Sequence, residues 1–453
     1  MITSPAPLIA LKAPQNVSLE EVTEALNKIW TSDLTSGDDG SLAGATRAST
    51  FSLIVYEPSE TQQLLAELGY YTGPIDGIDG PRTKAAIQAA QNHLGLAMNG
   101  RSSPELRMTL REQLAMRRSQ PNQAPVPEMS YALDAGGAGG ADEVASQNPC
   151  RIIALCPVPE STGGVTAQVS AYCPVQKHSS GSLICCEYIT LTGTDAELAE
   201  ASGFIQSLLI GELPKFLWWK TIPDLQEDLF RKLSSFINLV IVDTSTFDEA
   251  TKALVNIQNL HQQGINVADL NWRRLAAWQE LTAEAFDPPS RREALKEVDR
   301  FVLDYEAGNA AQAFLYLGWL ASRLKWKFVA SVREGGDYDL RRIKFTNDEQ
   351  LAIEAELAAI PVASPGEVIG DLIDLKLTST NLEADCCTII CSETRGCMRM
   401  EAGGGAQSCR VQHVSPLTEH SPEVLMSQQL QRWGHDLLFE ESLAVAAQIL
   451  QAG

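Results

Sequence analysis

The alternation of short apolar runs with an amphipathic segment between residues 149 and 263 most constrains the fold. The runs CRIIALCPV and NLVIVDTS are short and typical of strands buried on both faces, as is the earlier run RASTFSLIVYE. The segment from Asp195 to Ile210 has helical periodicity. Because strands that alternate with helices favour a parallel sheet, we expect a mainly parallel-sheet, Rossmann-like α/β domain. Residues 1–58 and 149–263 would form it as a discontinuous domain.

The remainder of the chain, residues 264–453, shows a different order of patterns. It opens with three helical segments at 269–286, 291–305 and 309–326, continues with strand-like runs and ends with a helix at 427–452. Consecutive strands without intervening helices indicate an antiparallel sheet. This part predicts a C-terminal α+β domain of helices and an antiparallel sheet.

Residues 59–119 carry three short helical patterns around a turn rich in Gly, Pro and Asp. Their apolar stripes are Leu64, Leu65 and Leu68, then Ile87, Ala90 and Leu94, then Leu106, Leu110 and Leu114. The stripes predict a small inserted three-helix module. Residues 120–148 are rich in Pro, Gly and Ala without apolar periodicity, which predicts a flexible linker.

The charge balance narrows the choice of partners. With 35 basic and 57 acidic residues the net charge is -22, so the surface repels phosphate backbones and anionic lipids. Nucleic acids and membranes are therefore not expected partners. The first residues do not have the pattern of a secretory signal, and ten cysteines in 453 residues do not suggest a secreted disulfide scaffold. We expect a cytoplasmic protein with free thiols.

Known catalytic motifs are missing from the sequence. It contains no nucleophile elbow, Walker loop, HExxH or CxxC pattern, and no G-x-G-x-x-G follows the first strand. Asp243 ends a predicted strand where a ribose could bind, but Thr246 and Glu249 are spaced as a helix capping box. The spacing of Cys397, Cys409 and His413 fits no regular zinc pattern. We expect a protein that is not an enzyme and holds no cofactor or metal.

The segment LPKFLWWK places two tryptophans next to each other on a predicted strand. Successive strand side chains point to opposite faces, so Trp219 would leave the face on which Trp218 packs. Core packing is the alternative for both rings. With Lys220 beside them, Trp218 and Trp219 are the predicted partner-binding residues.

The segment DCCTIICSETRGCMRM predicts a redox disulfide between Cys391 and Cys397. If SETRG forms a five-residue hairpin loop, the two cysteines face each other at the Cα separation that a disulfide prefers, about 5.5 Å. An exposed hairpin end gives a reductant access to the sulfur atoms, and Arg395 would favour the thiolate. Free cysteines in a surface loop, or a pairing that involves Cys409, are the alternatives.

The inserted segment resembles the peptidoglycan-binding-like fold over about 60 residues. The residues that carry this resemblance are Gly69, Tyr70, Asp76, Gly77, Gly80, Pro81, Thr83, Ile87, Gly95 and Leu96. Asp79 and Ala90 depart from the pattern, which usually has aromatic residues there. An interaction module is the expected role; a cell-wall-binding protein is an alternative that rests on this segment alone.

Most of the remaining chain resembles the glucose-6-phosphate dehydrogenase assembly protein family, OpcA. The blocks ELPKFLWWK, LVIVDTS, DLNWRRLAAWQE and LYLGWLASRL occur in the family's order. The resemblance implies a non-catalytic partner and allosteric activator of glucose-6-phosphate dehydrogenase, with thioredoxin as a second partner. A nucleotide- or sugar-phosphate-binding enzyme that uses the α/β domain is the alternative from another functional class.

Overall fold

The structure is a computed structural model that describes residues 8–32, 45–57, 60–71, 81–119, 148–159, 163–174, 184–362, 368–381, 383–393, 397–402, 411–416 and 422–452. The chain divides into two compact units. The first unit comprises Met1–Lys220, Asp224–Val240 and Pro422–Trp433. The second comprises Thr221–Pro223, Ile241–Ser421 and Gly434–Gly453. The predicted linker at 120–148 lies outside the described residues except for Asn148.

The first unit contains a mixed sheet whose central strands are parallel. Its strands are β1 (Leu8–Val17), β2 (Thr46–Arg47), β3 (Ser52–Tyr56), β4 (Arg151–Pro157), β5 (Thr166–Pro174), β6 (Ile184–Gly193) and β7 (Lys215–Trp219), and β8 (Leu239–Val242) begins in it. The order is β1-β5-β6-β4-β3-β7-β8, with β2 beside β6. β6, β4, β3 and β7 are mutually parallel, whereas β1, β5 and β6 pair antiparallel. The expected mainly parallel centre is present, with an antiparallel edge.

The helices of the first unit follow sequence signals that can be read locally. They are α1 (Val22–Ser32), α2 (Thr61–Leu68), α3 (Pro81–Leu94), α4 (Pro104–Ser119), α5 (Asp195–Glu200), α6 (Ser202–Leu208), α7 (Asp228–Ser234) and α13 (Pro422–Leu430). A capping box starts α5, because the Thr194 hydroxyl accepts from the Glu197 backbone N–H and the Glu197 carboxylate accepts from the Thr194 backbone. The predicted helix 195–210 is divided at Ala201 into α5 and α6.

Helices α2, α3 and α4 share one apolar core, as the three stripes predict. Its buried residues are Leu64, Leu65, Leu68, Tyr70, Tyr71, Ala86, Ile87, Ala90, Leu106 and Leu110, and Leu94 and Leu114 pack against them. The Gly- and Pro-rich turn at 72–80 lies outside the described residues. The boundaries 59 and 119 for an independent module remain a prediction.

The second unit contains an eight-stranded sheet with the order β11-β12-β13-β10-β14-β15-β16-β17. Its strands are β10 (Arg300–Glu306), β11 (Lys327–Gly335), β12 (Leu340–Thr346), β13 (Ala352–Ile360), β14 (Leu372–Thr378), β15 (Thr388–Glu393), β16 (Cys397–Ala402) and β17 (Val411–Pro416), and the short β9 (Val267–Asp269) also belongs to this unit. All neighbouring pairs in the eight-stranded sheet are antiparallel except β10 and β13, which are parallel.

The helices of the second unit are α8 (Ala250–Gln262), α9 (Leu270–Arg274), α10 (Ala276–Ala285), α11 (Pro289–Ala294), α12 (Ala311–Arg323) and α14 (Leu437–Ala452). α12 and α14 cross so closely that a Cβ atom on Gly318 would lie 2.3 Å from the carbonyl oxygen of Ser442. The Ser442 hydroxyl donates to the carbonyl of Leu315 at 2.5 Å. A glycine is therefore required at 318 for the observed approach.

Two helices expected from the sequence are different in the structure. The pattern at 291–305 predicts one helix, but α11 ends at Ala294 and β10 begins at Arg300. Phe301, Leu303 and Tyr305 are buried on one face of β10, a period of two that defines a strand. The predicted C-terminal helix 427–452 is two helices, α13 and α14, with Gly434 in the interruption. Within the described residues, no helix is long and apolar enough to cross a membrane.

Candidate functional site

The carboxyl ends of β3 and β7 meet at one edge of the parallel sheet. The two strands pair in parallel, with Val55 opposite Trp218 and Tyr56 opposite Trp219. In open α/β sheets this edge is the usual place for a ligand. The residues at these strand ends, Tyr56, Glu57, Trp218, Trp219 and Lys220, are called the strand-end cluster below.

Both tryptophans of the strand-end cluster are buried, which corrects the expectation that Trp219 is available at the surface. Trp218 is 3% exposed and Trp219 is 1% exposed. β7 is buried on both faces from Phe216 to Trp219, as central strands of parallel sheets usually are, so neither ring has to leave a packed face. The role of Trp218, Trp219 and Lys220 in partner binding stays a prediction, without the argument from exposure.

Trp219 packs among aromatic rings. Its ring stacks on Tyr56 with 3.9 Å between centroids, and Phe230 lies at 5.0 Å in a tilted arrangement. In the described part of the chain, no acceptor lies within hydrogen-bonding distance of the buried Trp219 Nε1. The ring therefore contributes packing, while its N–H group contributes an unfavourable desolvation term.

Lys220 and Glu57 form a largely buried ion pair beside these rings. The Lys220 Nζ to Glu57 Oε2 distance is 2.6 Å, and the side chains are 16% and 8% exposed. The same ammonium lies 4.8 Å from the centroid of the Trp218 ring. Tyr56 donates its hydroxyl to Asp195 Oδ1 at 2.9 Å. Burial, followed by the negative charge of Asp195, raises the pKa of Tyr56, so the phenol stays a donor at neutral pH.

A second polar group, the buried acid network, lies in the second unit where β8 and β9 end. Asp243 accepts from Arg274 Nη1 and Nη2 at 2.8 Å each, and from the Ser245 hydroxyl at 2.6 Å. Burial opposes ionisation of Asp243, but the adjacent Arg274 guanidinium prevails and holds its pKa below the usual value. The predicted capping box of Thr246 and Glu249 is not formed: Glu249 is the N-cap of α8 and makes no side-chain cap hydrogen bond, and the Thr246 hydroxyl donates to the carbonyl of Asp243. Asp243 instead caps the short turn at 244–246, where its side chain accepts from the Ser245 backbone N–H.

Asp269 completes this network from the end of β9. Its carboxylate accepts from the Thr244 hydroxyl at 2.6 Å and from the Thr244 and Asn271 backbone N–H groups at 3.0 and 2.9 Å. Burial, with the nearby charge of Asp243, raises the pKa of Asp269 to about 6 despite these hydrogen bonds. Gln312 joins the network by donating to Asn271 Oδ1 at 3.0 Å and to Asp371 Oδ1 at 2.7 Å.

In both places the central cation is paired with a carboxylate, although Trp219 Nε1 and Arg274 Nε have no hydrogen-bond partner among the described residues. The ammonium of Lys220 and the guanidinium of Arg274 are each neutralised by a carboxylate of this chain. A cation that is already paired offers little to a phosphate or a carboxylate substrate. Across the described ranges, no group of three or more His, Cys, Asp or Glu side chains is arranged to hold a metal ion.

Two domain models of one known protein family match the N-terminal and C-terminal parts of the chain. Residues 265–443 match the C-terminal domain, and residues 141–259 the N-terminal domain, of a family described as a glucose-6-phosphate dehydrogenase subunit. Residues 57–110 match a "Putative peptidoglycan binding domain".

Curated relatives cover nearly the whole chain. A protein of Nostoc punctiforme named "Putative OxPP cycle protein OpcA" is 54% identical over 98% of this chain and 95% of its own length. A protein of Synechococcus elongatus with the same name is 48% identical over 99% of both chains. The chain belongs to the OpcA family. The resemblance inferred from the sequence blocks is thereby confirmed, together with that of the inserted segment.

Solved structures resemble this OpcA-family chain only distantly. The 3-ketoreductase KijD10 from Actinomadura kijaniata covers 53% of this chain and 77% of its own at 10% identity, with a TM-score of 0.35. An aldose-aldose oxidoreductase from Caulobacter crescentus gives a TM-score of 0.34 at 13% identity, over 58% and 81% of the two chains. Likeness at this level carries no argument about activity.

The predicted hairpin at Cys391 and Cys397 has a different register. β15 extends to Glu393 and β16 begins at Cys397, so that these two residues are opposite each other, while Cys391 is opposite Arg399. Cys391 and Cys397 are therefore diagonal neighbours on one face, where Cα atoms are usually about 7–8 Å apart. The expected face-to-face placement is wrong because the strands continue through residues assigned to the loop. The redox pairing itself stays a prediction, and Cys409 lies outside the described residues.

A disulfide that the sequence reasoning missed joins Cys173 and Cys185. The two residues are on the antiparallel strands β5 and β6, with Cα atoms 4.1 Å apart. Both are fully buried beside Leu11, Trp30 and Ala45. The expectation of free thiols is therefore wrong for this pair. The available signal was the position of each cysteine near one end of two consecutive strand-like runs, which places them together if the strands form a hairpin.

Proposed function

We propose that this chain is a non-catalytic assembly factor and allosteric activator of glucose-6-phosphate dehydrogenase. The support is membership of the OpcA family, whose two domain descriptions name a glucose-6-phosphate dehydrogenase subunit and whose curated relatives are named OxPP cycle proteins. The single structural observation that favours a non-catalytic role is the internal pairing of Lys220 with Glu57 and of Arg274 with Asp243. A cytoplasmic location is part of the proposal.

Activation in this proposal is a population shift. An activator that binds the active conformer of the dehydrogenase more tightly than the inactive one raises the active fraction, and equal affinity would change nothing. A difference of ~1.4 kcal/mol in binding free energy changes the ratio of the two conformers tenfold. The effect on rate is therefore largest where the inactive conformer predominates, which we expect at low sugar-phosphate concentration.

The test is an activity titration. Purified dehydrogenase is assayed over a range of glucose 6-phosphate concentrations with and without this chain, and this chain is assayed alone. We expect no rate from this chain alone and the greatest stimulation at low substrate. A dehydrogenase rate that is unchanged at every substrate concentration would refute activation. Hydride transfer by this chain alone would instead favour the enzyme alternative.

Thiol control by thioredoxin, with Cys391 and Cys397 as the responsive pair, is a separate part of the proposal. The backbone register of β15 and β16 supports this, since the two residues are within two positions of each other across the pair. Activation by oxidised and thioredoxin-reduced protein is compared for wild type, Cys391→Ser and Cys397→Ser, with Cys387→Ser as a matched cysteine control. We expect the redox difference to disappear in the first two variants only. Activation that is independent of redox state in the wild type contradicts this part alone.

The inserted module is proposed to serve as an interaction module. Among the described residues, the buried members of the core that its three helices share all lie between Leu64 and Leu110. This self-sufficiency supports a unit that was added to the α/β domain without completing it. A variant that lacks residues 59–119 is expected to remain soluble and folded, and loss of solubility would contradict this.

A further inference from the structure

Strands β10, β14 and β15 of the second unit's sheet have one buried apolar face and one half-exposed face of mixed polarity. On the apolar face, Phe301, Leu303, Leu375 and Leu377 are buried, and helices α10 and α12 contact β10, β15 and β16. Side chains of the opposite parity point the other way. The residues of β10, β14 and β15 on that side are called the open face; they are Val302, Asp304, Asp374, Lys376, Ile389 and Cys391, of which Lys376 is exposed and the others are half-buried.

The strand register arranges these side chains in two rows. Val302 of β10 is opposite Lys376 of β14, which is opposite Ile389 of β15. In the next row, Asp304 is opposite Asp374, and Asp374 is opposite Cys391. The open face thus has an apolar part next to two carboxylates that are direct cross-strand neighbours.

Two carboxylates placed directly opposite each other destabilise a sheet. Burial, followed by the charge of Asp374 and then that of Glu356, raises the pKa of Asp304. Burial also raises the pKa of Asp374, against an opposing effect of Lys376. In the described residues, Asp304 has no ion pair, and Asp374 Oδ1 is buried without a hydrogen-bond partner.

Of the described basic side chains near this pair, two arginines are paired with glutamates, and Lys376 acts on Asp374 only through its charge. Arg342 lies 3.4 Å from Glu356 and from Glu334, and Arg300 pairs with Glu354. Lys376 is exposed and forms no ion pair within the described part of the chain. The charge arrangement is therefore complementary to a surface that supplies a cation above Asp304 and Asp374.

We propose that the open face is a protein-docking surface, and that its occupant is a face of the dehydrogenase that places an arginine or lysine between Asp304 and Asp374 and an apolar side chain against Val302 and Ile389. This inference rests on the proposed function. Apolar contact in the middle of a patch with charge pairs beside it is the usual composition of a protein interface. A cation held there removes the repulsion between the two carboxylates as it binds.

A substitution can separate a residue that serves docking from one that serves folding, because only the first can weaken binding without lowering stability. Asp374→Asn removes a repelling charge from the free chain, so its resistance to urea at neutral pH should equal or exceed that of the wild type. The same variant removes a charge on which the partner's cation depends, so binding should weaken by roughly tenfold. A residue that only supports the fold would lose stability and binding together.

The experiment measures the affinity of the full chain for glucose-6-phosphate dehydrogenase by biolayer interferometry, with urea unfolding of each variant. Asp374→Lys should weaken binding by roughly thirtyfold or more, because it opposes the partner's cation. Glu349→Lys is the matched control, since Glu349 is an exposed acidic residue in the turn between β12 and β13, and it should bind as the wild type does. If Asp374→Lys does not fold, Asp374→Asn supplies the same comparison.

The outcomes separate this inference from the proposed function. If the wild type binds the dehydrogenase and either Asp374→Lys or Asp374→Asn binds it with the same affinity, the docking surface is overturned and the proposed function still stands. No binding by the wild type overturns both. If the wild type is a dimer in solution by light scattering and Asp374→Lys makes it monomeric without affecting the dehydrogenase, the occupant is a second copy of this chain and the proposal is overturned.

Discussion

Replacement of Trp219 by alanine should destabilise the fold much more than it impairs activation by protein that remains folded. The indole is 1% exposed, stacks on Tyr56 at 3.9 Å and contacts Phe230 at 5.0 Å. Its removal leaves a cavity between β3, β7 and α7. The sequence alone indicates the opposite result, a loss of partner contact with little effect on folding.

The magnitude follows from two opposing effects. Truncation of a buried tryptophan to alanine costs ~3–5 kcal/mol in free energy of unfolding. The loss of the stack on Tyr56 places the variant in the upper part of that range. Against this, the Trp219 N–H is buried without a partner, a state that costs ~1–3 kcal/mol and disappears with the ring. Trp219→Phe keeps an aromatic ring against Tyr56 and removes the N–H, so we expect it to cost ~1 kcal/mol or less.

The assay is urea unfolding of wild type, Trp219→Ala and Trp219→Phe, followed by dehydrogenase activation without urea at a temperature where each variant is folded. Domains are stable by only about 5–15 kcal/mol, so the alanine variant should lose a large share of that and the phenylalanine variant little. If Trp219→Ala is as stable as the wild type but no longer activates the dehydrogenase, the packing argument is refuted. It would show that Trp219 is a partner contact after all.

Three further changes probe the other features of the structure. Lys220→Ala should lower the free energy of unfolding by ~3–5 kcal/mol, because Glu57 then stays buried without the ammonium that neutralises it. The double variant Lys220→Met with Glu57→Leu should recover most of this stability in urea unfolding. Equal losses of stability in the single and the double variant would contradict the pairing. The double variant Cys173→Ser with Cys185→Ser lacks the disulfide, whose two cysteines are 12 residues apart in sequence. Its free energy of unfolding should fall by about 3 kcal/mol, because the unfolded chain gains loop entropy. Cys150→Ser keeps the disulfide and is the control. Asp269 has a folded-state pKa raised to about 6 from 3.8, so it holds its proton in the folded state between those values; its contribution to stability should fall as pH rises through this window, and Asp269→Asn should flatten that part of the pH profile. If the stability of the wild type and that of Asp269→Asn change equally with pH across this window, the prediction is wrong.

The sequence predicted the elements whose pattern is set by burial alone. The runs at 150–158 and 238–245 became β4 and β8, because apolar runs of this length are short for a helix and are typical of parallel strands that are covered on both faces. The same reasoning, applied to PKFLWWK, would have buried both tryptophans. The error was to treat one strand of a parallel sheet as half-exposed while its neighbours in the chain were treated as fully buried.

Register was the property that the sequence did not determine. Cys391 and Cys397 were placed opposite each other by a loop length, yet the pairing of Glu393 with Cys397 shifts every cross-strand partner by two positions. Cys173 and Cys185 became partners because β5 and β6 pair with Tyr172 opposite Cys186. Strand pairing depends on contacts along the whole ladder, and no local pattern in either segment distinguishes one register from the next with the same parity.

The distribution of charge in the two units gives a physical reason to look for function on a surface rather than in a cleft. Arg274 and Lys220 are largely buried and each has a carboxylate within 2.8 Å, an arrangement whose main effect is to fix neighbouring elements. Asp304 and Asp374 are only half-buried and repel each other, a cost that packing does not require, since an asparagine would fit either position. A feature that weakens the free chain and would be relieved by an external cation is better explained by association than by folding. The open face therefore has the property that the strand-end cluster lacks, because its energy improves when another molecule is present.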